Sequence, residues 1–457
     1  MRRNQRAAAL ARRRQADLLA NVMERRRIRK IKDDITAFFT REYNFKYLRP
    51  VGGTEGNHGG TGLFSEFDPN TSVEKRKLIV KYSLGILPNK EDSDAHLRNE
   101  VKWLGYFGGS EHFIEALNVR PNNAASDSGS DGKDDGKTAD PAARNDPVDD
   151  SLITDISIMT LGDDKDDGEG KDISMEGAGG QDDSDSGSGS ALQIPAFILE
   201  YLPLGDLDHL RERMVRKGGR VPSRLLWQMM LCMVRMCIGL AYYEDMKNGK
   251  RERIPPGKNP STLEHNSLKP PNMLLADLVP GDNEHGQNPL LKLIDFGRTD
   301  FSQDPASAHY PDGPGVQWNL FYMAAVLETL ACIQTDLNPG CSWIPRRRIR
   351  HMFDGPSLTM MLTRAHDDWV DDRHLDPVLR NLICRCMSVT DDGYLSRCPT
   401  LKEALDICLS RHNMDAETMF PFPSGVPGWE TDEAVDQYIV ETVLGVPDSS
   451  DPPPAGP

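Results

Sequence analysis

Two polar side chains in the second half of the sequence are suited to hold a metal ion together. Asp295 ends the apolar run LLKLID (290–295) and is followed by Phe296 and the turn-permitting Gly297, and Asn272 lies upstream of it. An acid after a buried strand is commonly a turn residue. Paired with the amide oxygen of Asn272, however, its carboxylate offers the oxygen ligands that a hard cation such as Mg²⁺ prefers.

A second pair, Lys81 and Glu100, has the charges that a phosphate site needs. Lys81 ends the alternating strand pattern KLIVK (77–81), and Glu100 follows nineteen residues later within a helical pattern over 93–107. Either residue alone is typical of a solvated surface, but a helix would let the carboxylate pair with the ammonium. Phosphoryl transfer from ATP needs such a cation, oxygen ligands for magnesium, and backbone donors over the triphosphate.

The glycine-rich segment GGTEGNHGGTG (52–62) supplies candidate backbone donors. Glycine lets the backbone approach phosphates closely, and successive N–H groups form anion-binding turns. The candidates are Gly52, Gly59, Gly60 and Gly62. The register of this loop on a nucleotide stays open, and a flexible hairpin that binds no ligand is the alternative.

Taken in chain order, these segments resemble the eukaryotic protein kinase family over about residues 45–411. The resemblance depends above all on HNSLKPPNMLL (265–275) and LKLIDFG (291–297), which are similar to the catalytic loop and the magnesium-binding loop of that family. It implies an α+β fold of two lobes, with a small β-rich N-lobe and a large helical C-lobe.

The resemblance also assigns roles to single residues. It implies that Lys81 contacts the α- and β-phosphates of ATP and pairs with Glu100. Asn272 and Asp295 would bind Mg²⁺. Lys269 would approach the γ-phosphate, as in serine/threonine-directed members of the family.

The apolar run 197–202 takes the place of the family's hinge. The resemblance implies that Leu199 is the gatekeeper residue and that the segment from Glu200 to Leu202 binds the adenine. ATP and Mg²⁺ are therefore the predicted cofactors.

The parts that transfer the phosphate depart from the family. Ser267 stands where the family has the aspartate that accepts the proton of the substrate hydroxyl. Loss of a general base typically costs ~10²–10⁴-fold in rate. In the family, the arginine at the position of Arg397 pairs with the glutamate of an A-P-E motif, and the sequence between Gly297 and Trp318 has no such motif. Val316 replaces an acid that anchors the catalytic loop in the family.

The retained and lost parts together indicate a pseudokinase, which binds ATP with magnesium, transfers phosphate to protein Ser/Thr weakly or not at all, and acts as a scaffold or regulator. Two alternatives remain open. One is an active but atypical serine/threonine protein kinase, and the other is a nucleotide-free kinase-fold scaffold whose cleft is filled by its polar loops, 247–262 or 277–289. Whether the protein is an enzyme, and which protein is its partner or substrate, stays open at this point.

Charge is distributed unevenly along the 457 residues. Residues 1–32 carry twelve Lys/Arg against two acids, whereas residues 121–190 carry nineteen acids against five bases, within a net charge of −16. The asymmetry and the Asp/Gly/Ser-rich composition predict a basic helical extension and a disordered acidic insert. The predicted domains are the extension (1–43), an N-lobe and hinge (44–205, interrupted by the insert at 121–190), a C-lobe (206–412) and a Pro-rich tail (413–457).

Four local predictions complete the secondary structure. Residues 112–119 and part of 152–161 have the pattern of strands, the second of which would join the flanking sheet. A short helix is expected to begin near Asp206, and another over 432–444.

The acidic balance argues against nucleic-acid binding by the body of the protein. The basic N-terminal arm has several open interpretations: a solvated helix, a nuclear-import signal, a contact to an acidic partner or, less favoured because of Asp17 and Glu24, a mitochondrial presequence. The N-terminus lacks the apolar core of a secretory signal. The apolar segment 225–243 contains Gln228 and Arg235 and reads as a buried amphipathic helix, so no membrane association is expected.

The eight cysteines show no paired C-x-x-C spacing and no histidines at ligand intervals. We interpret them as buried free thiols rather than metal ligands or disulfides. Free thiols favour a reducing compartment, and the predicted localisation is intracellular, cytoplasmic or nuclear.

Overall fold

An antiparallel sheet near the N-terminus and a mostly helical region after it form an α+β protein. The computed structural model describes residues 2–51, 59–85, 93–119, 159–161, 194–246, 251–302, 312–332, 347–352, 358–370, 372, 374–389, 397–420 and 425–445. The chain divides into two units, of which the first is Met1–Val101 with Ala116–Glu200 and the second is Lys102–Glu115 with Tyr201–Pro457.

The sheet lies in the first unit. Its strands are β1 (Phe45–Pro50), β2 (Gly60–Phe67), β3 (Glu74–Tyr82), β4 (Met159–Leu161) and β5 (Ile194–Glu200), and they pair antiparallel in the order β1-β2-β3-β5-β4. Side chains of a strand alternate between the two faces of a sheet. On the central strand β3, Leu78, Val80 and Tyr82 are therefore buried on one face, whereas Ile79 and Lys81 belong to the other.

A long N-terminal helix, α1 (Arg2–Tyr43), packs its last turns onto the face of the sheet that carries Val80. Ile35 and Phe39 are four residues apart, which places them on one side of the helix, and both are fully buried in this cluster. The ring of Phe39 stacks on Phe45 with 5.7 Å between the centroids. Burial of such a side chain stabilises the folded state by roughly 1.5–3 kcal/mol. The C-terminal end of the basic extension is therefore part of the core.

The sequence explains where α1 ends. Arginine and alanine dominate the helix, and both are strong helix formers. Asn44 has a φ of 55°, the left-handed conformation in which asparagine commonly closes a helix. Strand β1 begins at the next residue.

Helices and short strands make up the second unit, and helix α2 (Ser93–Phe107) runs from the first unit into it. The helices are α3 (Leu207–Lys217), α4 (Ser223–Ala241), α5 (Gly313–Ala331), α6 (Asp367–Val370), α7 (Pro377–Cys386), α8 (Leu401–Arg411), α9 (Ala416–Met419) and α10 (Asp432–Tyr438). The strand pairs are β6 (Leu263–Glu264) with β9 (Asp300–Phe301), β7 (Met273–Leu275) with β8 (Leu291–Leu293), and β10 (Arg347–Met352) with β11 (Leu358–Thr363). Short 3-10 helices occur at Tyr243–Asp245, Pro270–Asn272 and Phe296–Arg298, and a π-helix continues α10 over Ile439–Leu444.

Helix α4 is the centre of the second unit's core, since nearly all of its side chains are buried. Among the described residues, α4 alone is long and apolar enough to cross a membrane. However, 89% of its most apolar window is buried inside the protein, as it is in a core helix. The amphipathic pattern predicted over 225–243 thus corresponds to a helix buried on almost every side.

Most local predictions are confirmed. Helix α2 has the predicted bounds, and α3 begins after Asp206, whose side chain accepts a hydrogen bond from the N–H of His209. Residues 159–161 join the sheet, and helical structure covers 432–444. The strand predicted at 112–119 is wrong, because this segment makes only isolated bridges. Gly52 and all of the acidic insert except 159–161 lie outside the described residues.

Candidate functional site

Lys81 and Glu100 form an ion pair in the first unit. Lys81 lies on the central strand, opposite Thr61 of β2 and Phe197 of β5. Its Nζ is 2.5 Å from Oε2 of Glu100 on α2. The Lys81 side chain is 14% exposed and that of Glu100 is 2% exposed. A carboxylate this buried is stable only when a cation compensates it, so each charge holds the other in place.

The candidate glycines of β2 are required by the packing of the sheet itself. A Cβ on Gly60 would lie 2.2 Å from the ring of Tyr82, and one on Gly62 would lie 2.9 Å from Phe64. Gly59 has a φ of 149°, which L-residues rarely adopt. These contacts give the glycines a structural role, and their contact with phosphates stays a prediction.

The predicted gatekeeper and hinge lie at the end of β5. Leu199 pairs with Ile79, so it shares a face with Lys81, and it is 7% exposed. Glu200 is the last residue of the strand, whereas Leu202 follows in the second unit and is half-buried. Their adenine-binding role stays a prediction.

Asn272, Asp295 and Ser267 come together in the second unit. Nδ2 of Asn272 donates to Oδ2 of Asp295 at 3.1 Å, and also to the backbone oxygen and Oγ of Ser267 at 2.8 and 3.0 Å. The antiparallel pairing of β7 with β8 explains the convergence. Asn272 directly precedes β7, Asp295 lies two residues beyond β8, and the N–H of Ile294 donates to the carbonyl of Asn272 at 3.0 Å.

The backbone at Asp295 is in the left-handed region, with φ 69° and ψ 62°. Such a conformation outside glycine costs of the order of 1 kcal/mol or more and persists only where the surroundings impose it. Phe296 is fully buried and packs against Phe107 and Phe113. The buried ring therefore holds the carboxylate of Asp295 at the end of β8.

The loop that carries Ser267 has an anchor that the sequence analysis missed. The resemblance predicts an acid at position 316, where the chain has Val316, and Asn319, one turn later on α5, contacts the loop. Its Oδ1 accepts from the N–H of His265 at 3.2 Å, and its Nδ2 donates to the carbonyl of Leu263 at 2.8 Å. The side-chain amide of Asn319 thus anchors the loop from the same helix, whereas Val316 has no polar group with which to do so. Lys269 is exposed, and its carbonyl accepts from the N–H of Asn272 at 2.9 Å.

A second cluster, which the sequence analysis did not predict, lies elsewhere in the second unit. His112, Cys232, His285 and Glu252 are all at most 1% exposed. One possible ligand atom from each of His112, Cys232 and His285 lies within 4.8 Å of the other two. Nδ1 of His112 is 2.7 Å from Oε2 of Glu252, and Sγ of Cys232 is 3.9 Å from Nδ1 of His285. The cluster could not be recognised from the sequence, because its residues are far apart in the chain and neither histidine stands at a ligand interval from the cysteine.

Burial and neighbouring charges act in opposite directions in this cluster. Burial alone would raise the pKa of the Cys232 thiol, but the imidazoles of His285 and His112 outweigh it and lower that pKa to about 6. Burial would also lower the pKa of His112, yet the Glu252 carboxylate and Cys232 raise it to about 10. The thiol of Cys232 and the imidazole of His112 therefore interact strongly with their neighbours in the core.

Buried ion pairs connect this cluster to the two polar loops of the sequence analysis. Arg235 of α4 donates to both carboxylate oxygens of Glu284, at 2.7 and 3.2 Å, and to the carbonyl of Glu252 at 2.6 Å. Arg251 pairs with Glu111 at 2.7 Å and also with Asp282. The described parts of both loops are thus held against α4.

No protein family and no curated protein matches this sequence. The assignment of chemistry therefore depends on the two polar sets themselves. The first unit supplies an ammonium held by a carboxylate. The second supplies an amide and a carboxylate side by side, in contact with the hydroxyl of Ser267.

Proposed function

We propose that this chain is a protein kinase-like protein that binds ATP with Mg²⁺, transfers phosphate to protein Ser/Thr weakly or not at all, and acts as a scaffold or regulator. The proposal includes a two-lobed kinase-like fold, in which the first unit is the small lobe and the second is the helical lobe. The ion pair between Lys81 and Glu100 is the observation that carries it.

The ion pair supports phosphate binding because burying two charges costs desolvation free energy, and phosphate binding would explain why the pair is present. Replacing a buried ion pair with apolar residues is often neutral or stabilising, so stability alone does not require this pair. A phosphate needs a cation at a fixed place, and the carboxylate of Glu100 provides that fixation. Lys81 would contact the phosphates of the nucleotide.

The contacts of Asn272 and Asp295 support magnesium binding. An amide and a carboxylate 3.1 Å apart, with the carboxylate on a strained backbone, present oxygen ligands of the kind that Mg²⁺ takes. With the ion bound, Asn272 would turn its amide oxygen toward the metal. Lys269, which is exposed beside them, would reach the γ-phosphate.

Ser267 supports weak or absent transfer. Its hydroxyl accepts a hydrogen bond from Asn272 and has no carboxylate with which to take a proton near neutral pH. Positioning and charge provide most of the catalysis of phosphoryl transfer, so residual transfer is compatible with the site. The output would then be contact with a protein partner inside the cell, in the cytoplasm or nucleus, to which the basic arm offers a surface for acidic groups.

The test is a thermal-shift titration of the full-length protein with ATP, with and without MgCl₂. We expect ATP to raise the melting temperature, more so with magnesium, because ligand binding to the folded state stabilises it. Lys81→Ala should abolish the rise, measured against its own baseline. Lys77→Ala is the matched control, since Lys77 lies on the same strand and face. Asp295→Ala should remove the magnesium dependence.

The outcomes separate the proposal from its alternatives. No shift in the wild-type protein would contradict nucleotide binding and favour a nucleotide-free scaffold. Incorporation of γ-phosphate into a protein substrate that disappears in Asp295→Ala would favour an active atypical kinase. Ser267→Asp tests the missing base directly, because a gain of ~10²-fold or more would show that the base alone limits transfer.

A further inference from the structure

A buried group of nitrogen and sulfur ligands lies in the second unit, apart from the residues assigned to the nucleotide. We propose that His112, Cys232 and His285 bind a zinc ion, with Glu252 orienting the imidazole of His112. None of these residues belongs to the proposed ATP set, so the proposal stands or falls independently of nucleotide binding.

An unsatisfied nitrogen points to a ligand. Nδ1 of His112 is occupied by Glu252, which leaves Nε2 as the free coordination atom of the ring. Nε2 is buried and has no nitrogen or oxygen partner among the described residues, and the ring also interacts with the thiol of Cys232. Buried polar atoms without a partner are rare and cost about 1–3 kcal/mol each. A metal ion would satisfy this one.

The distances fit a shared ion. With Zn–S near 2.3 Å and Zn–N near 2.0–2.1 Å, tetrahedral coordination separates sulfur and nitrogen by about 3.6 Å. The observed separation of Cys232 Sγ and His285 Nδ1 is 3.9 Å. A shift of a few tenths of an ångström would bring both atoms into coordination.

The ligand types select zinc over the hard cations. Thiolate and imidazole suit Zn²⁺, whereas Mg²⁺ and Ca²⁺ prefer oxygen. The contact between His112 and Glu252 repeats the carboxylate–histidine–zinc arrangement, in which the carboxylate fixes the tautomer and the orientation of the ring. The fourth position of a tetrahedral ion would go to a water molecule or to Glu111, which has oxygens within 4.8 Å of both imidazoles.

The location indicates a structural site. The three ligands are at most 1% exposed, which leaves no access for a substrate. They also come from three separate segments: His112 follows α2, Cys232 lies in the middle of α4, and His285 belongs to the loop between β7 and β8. A zinc ion here would fasten that loop and the segment after α2 to the core helix.

The experiment measures the metal content of the full-length, tag-free protein. We expect about one zinc ion per chain, as in other structural sites. Cys232→Ser and His285→Asn should lose it. Cys237→Ser is the matched control, because Cys237 is an equally buried thiol on α4 outside the cluster, and it should keep its zinc. Glu252→Gln should weaken zinc binding about 10–100-fold.

Two measurements on the wild-type protein keep the test decisive even if the variants fail to fold. Refolding with Co²⁺ should produce a thiolate-to-cobalt charge-transfer absorption, and a zinc chelator should lower the melting temperature. Wild-type protein that purifies without metal, shows no such absorption and keeps its melting temperature with chelator or added Zn²⁺ would overturn the proposal. The cluster would then be a metal-free hydrogen-bonded part of the core.

Discussion

Asn319 on α5 accepts a hydrogen bond from the backbone N–H of His265 at 3.2 Å. The other end of the same amide donates to the carbonyl of Leu263 at 2.8 Å. One side chain therefore satisfies two buried backbone groups and fixes the start of the loop that carries Ser267. The geometry of that loop depends on α5 even though Val316 cannot hold it.

Asn319→Leu should destabilise the protein by about 2–4 kcal/mol, because it leaves a buried N–H and a buried carbonyl without partners. Denaturant unfolding measures the loss. Gln317→Leu is the control, since Gln317 is equally buried on α5 but its Nε2 has no hydrogen-bond partner in the described part of the chain. Its replacement should change stability by less than about 1 kcal/mol. Equal losses in the two variants would show that Asn319 acts by packing alone.

The pair of Lys81 and Glu100 should show strong coupling. Lys81→Met should cost about 3–5 kcal/mol, because it removes the cation from a carboxylate that is 2% exposed. The double variant Lys81→Met/Glu100→Leu should recover most of this stability. A double-mutant cycle in denaturant gives the coupling energy, and additive losses would mean that the two charges do not stabilise each other.

Gly60→Ala should destabilise the sheet by about 1–3 kcal/mol through overpacking. The added methyl group would lie 2.2 Å from the ring of Tyr82, which is itself 6% exposed and packed in the core. Gly105→Ala is the opposite case, because a Cβ at this position of α2 would have, among the described residues, no atom within 4 Å beyond its own stretch of helix. Removal of that helical glycine should stabilise by roughly 0.5–1 kcal/mol. If the melting temperatures of the two variants moved in the same direction relative to wild type, the packing around the two glycines would not explain their effects.

Glu430 should make stability decrease as the pH rises. Its carboxyl is fully buried, and burial raises its pKa despite a hydrogen bond from the N–H of Ser223 at 2.5 Å. A folded-state pKa above the unfolded value stabilises the fold at low pH, and this contribution is lost as the pH rises through the folded-state pKa.

Glu430→Gln removes that titration while keeping an oxygen to accept from Ser223. The stability of the variant relative to wild type should therefore rise with pH from about 4 upward and then level off. Denaturant midpoints across this pH range provide the comparison. Parallel profiles for the two proteins would show that the carboxyl of Glu430 has the same pKa in both states.

Features set by neighbouring residues could be predicted from the sequence. Alternation in KLIVK places Lys81 on a strand, helical periodicity places Glu100 on α2, and the apolar run before Asp295 predicts the strand that it follows. In each case, local hydrophobic pattern determines the direction of the side chain.

Features that depend on distant parts of the chain could not be predicted. The four-residue spacing of Ile35 and Phe39 indicates an apolar stripe on α1, but it does not indicate which face of the sheet this stripe covers. The cluster of His112, Cys232 and His285 needs three segments to be folded before its ligands meet. The strand expected at 112–119 failed for the same reason, because a strand pattern does not show whether a continuous partner is present.

The docking of α1 on the sheet has a consequence for biosynthesis. Phe39 leaves the ribosome about 160 residues before Ile198, the strand residue with which it shares the core. Phe45 and Phe64 follow within 25 residues and contact Phe39. At about 5–20 residues per second, the cluster waits roughly 8–30 s for the strand that completes it. The first unit therefore closes its core late, only after the strand that carries Ile198 has been synthesised.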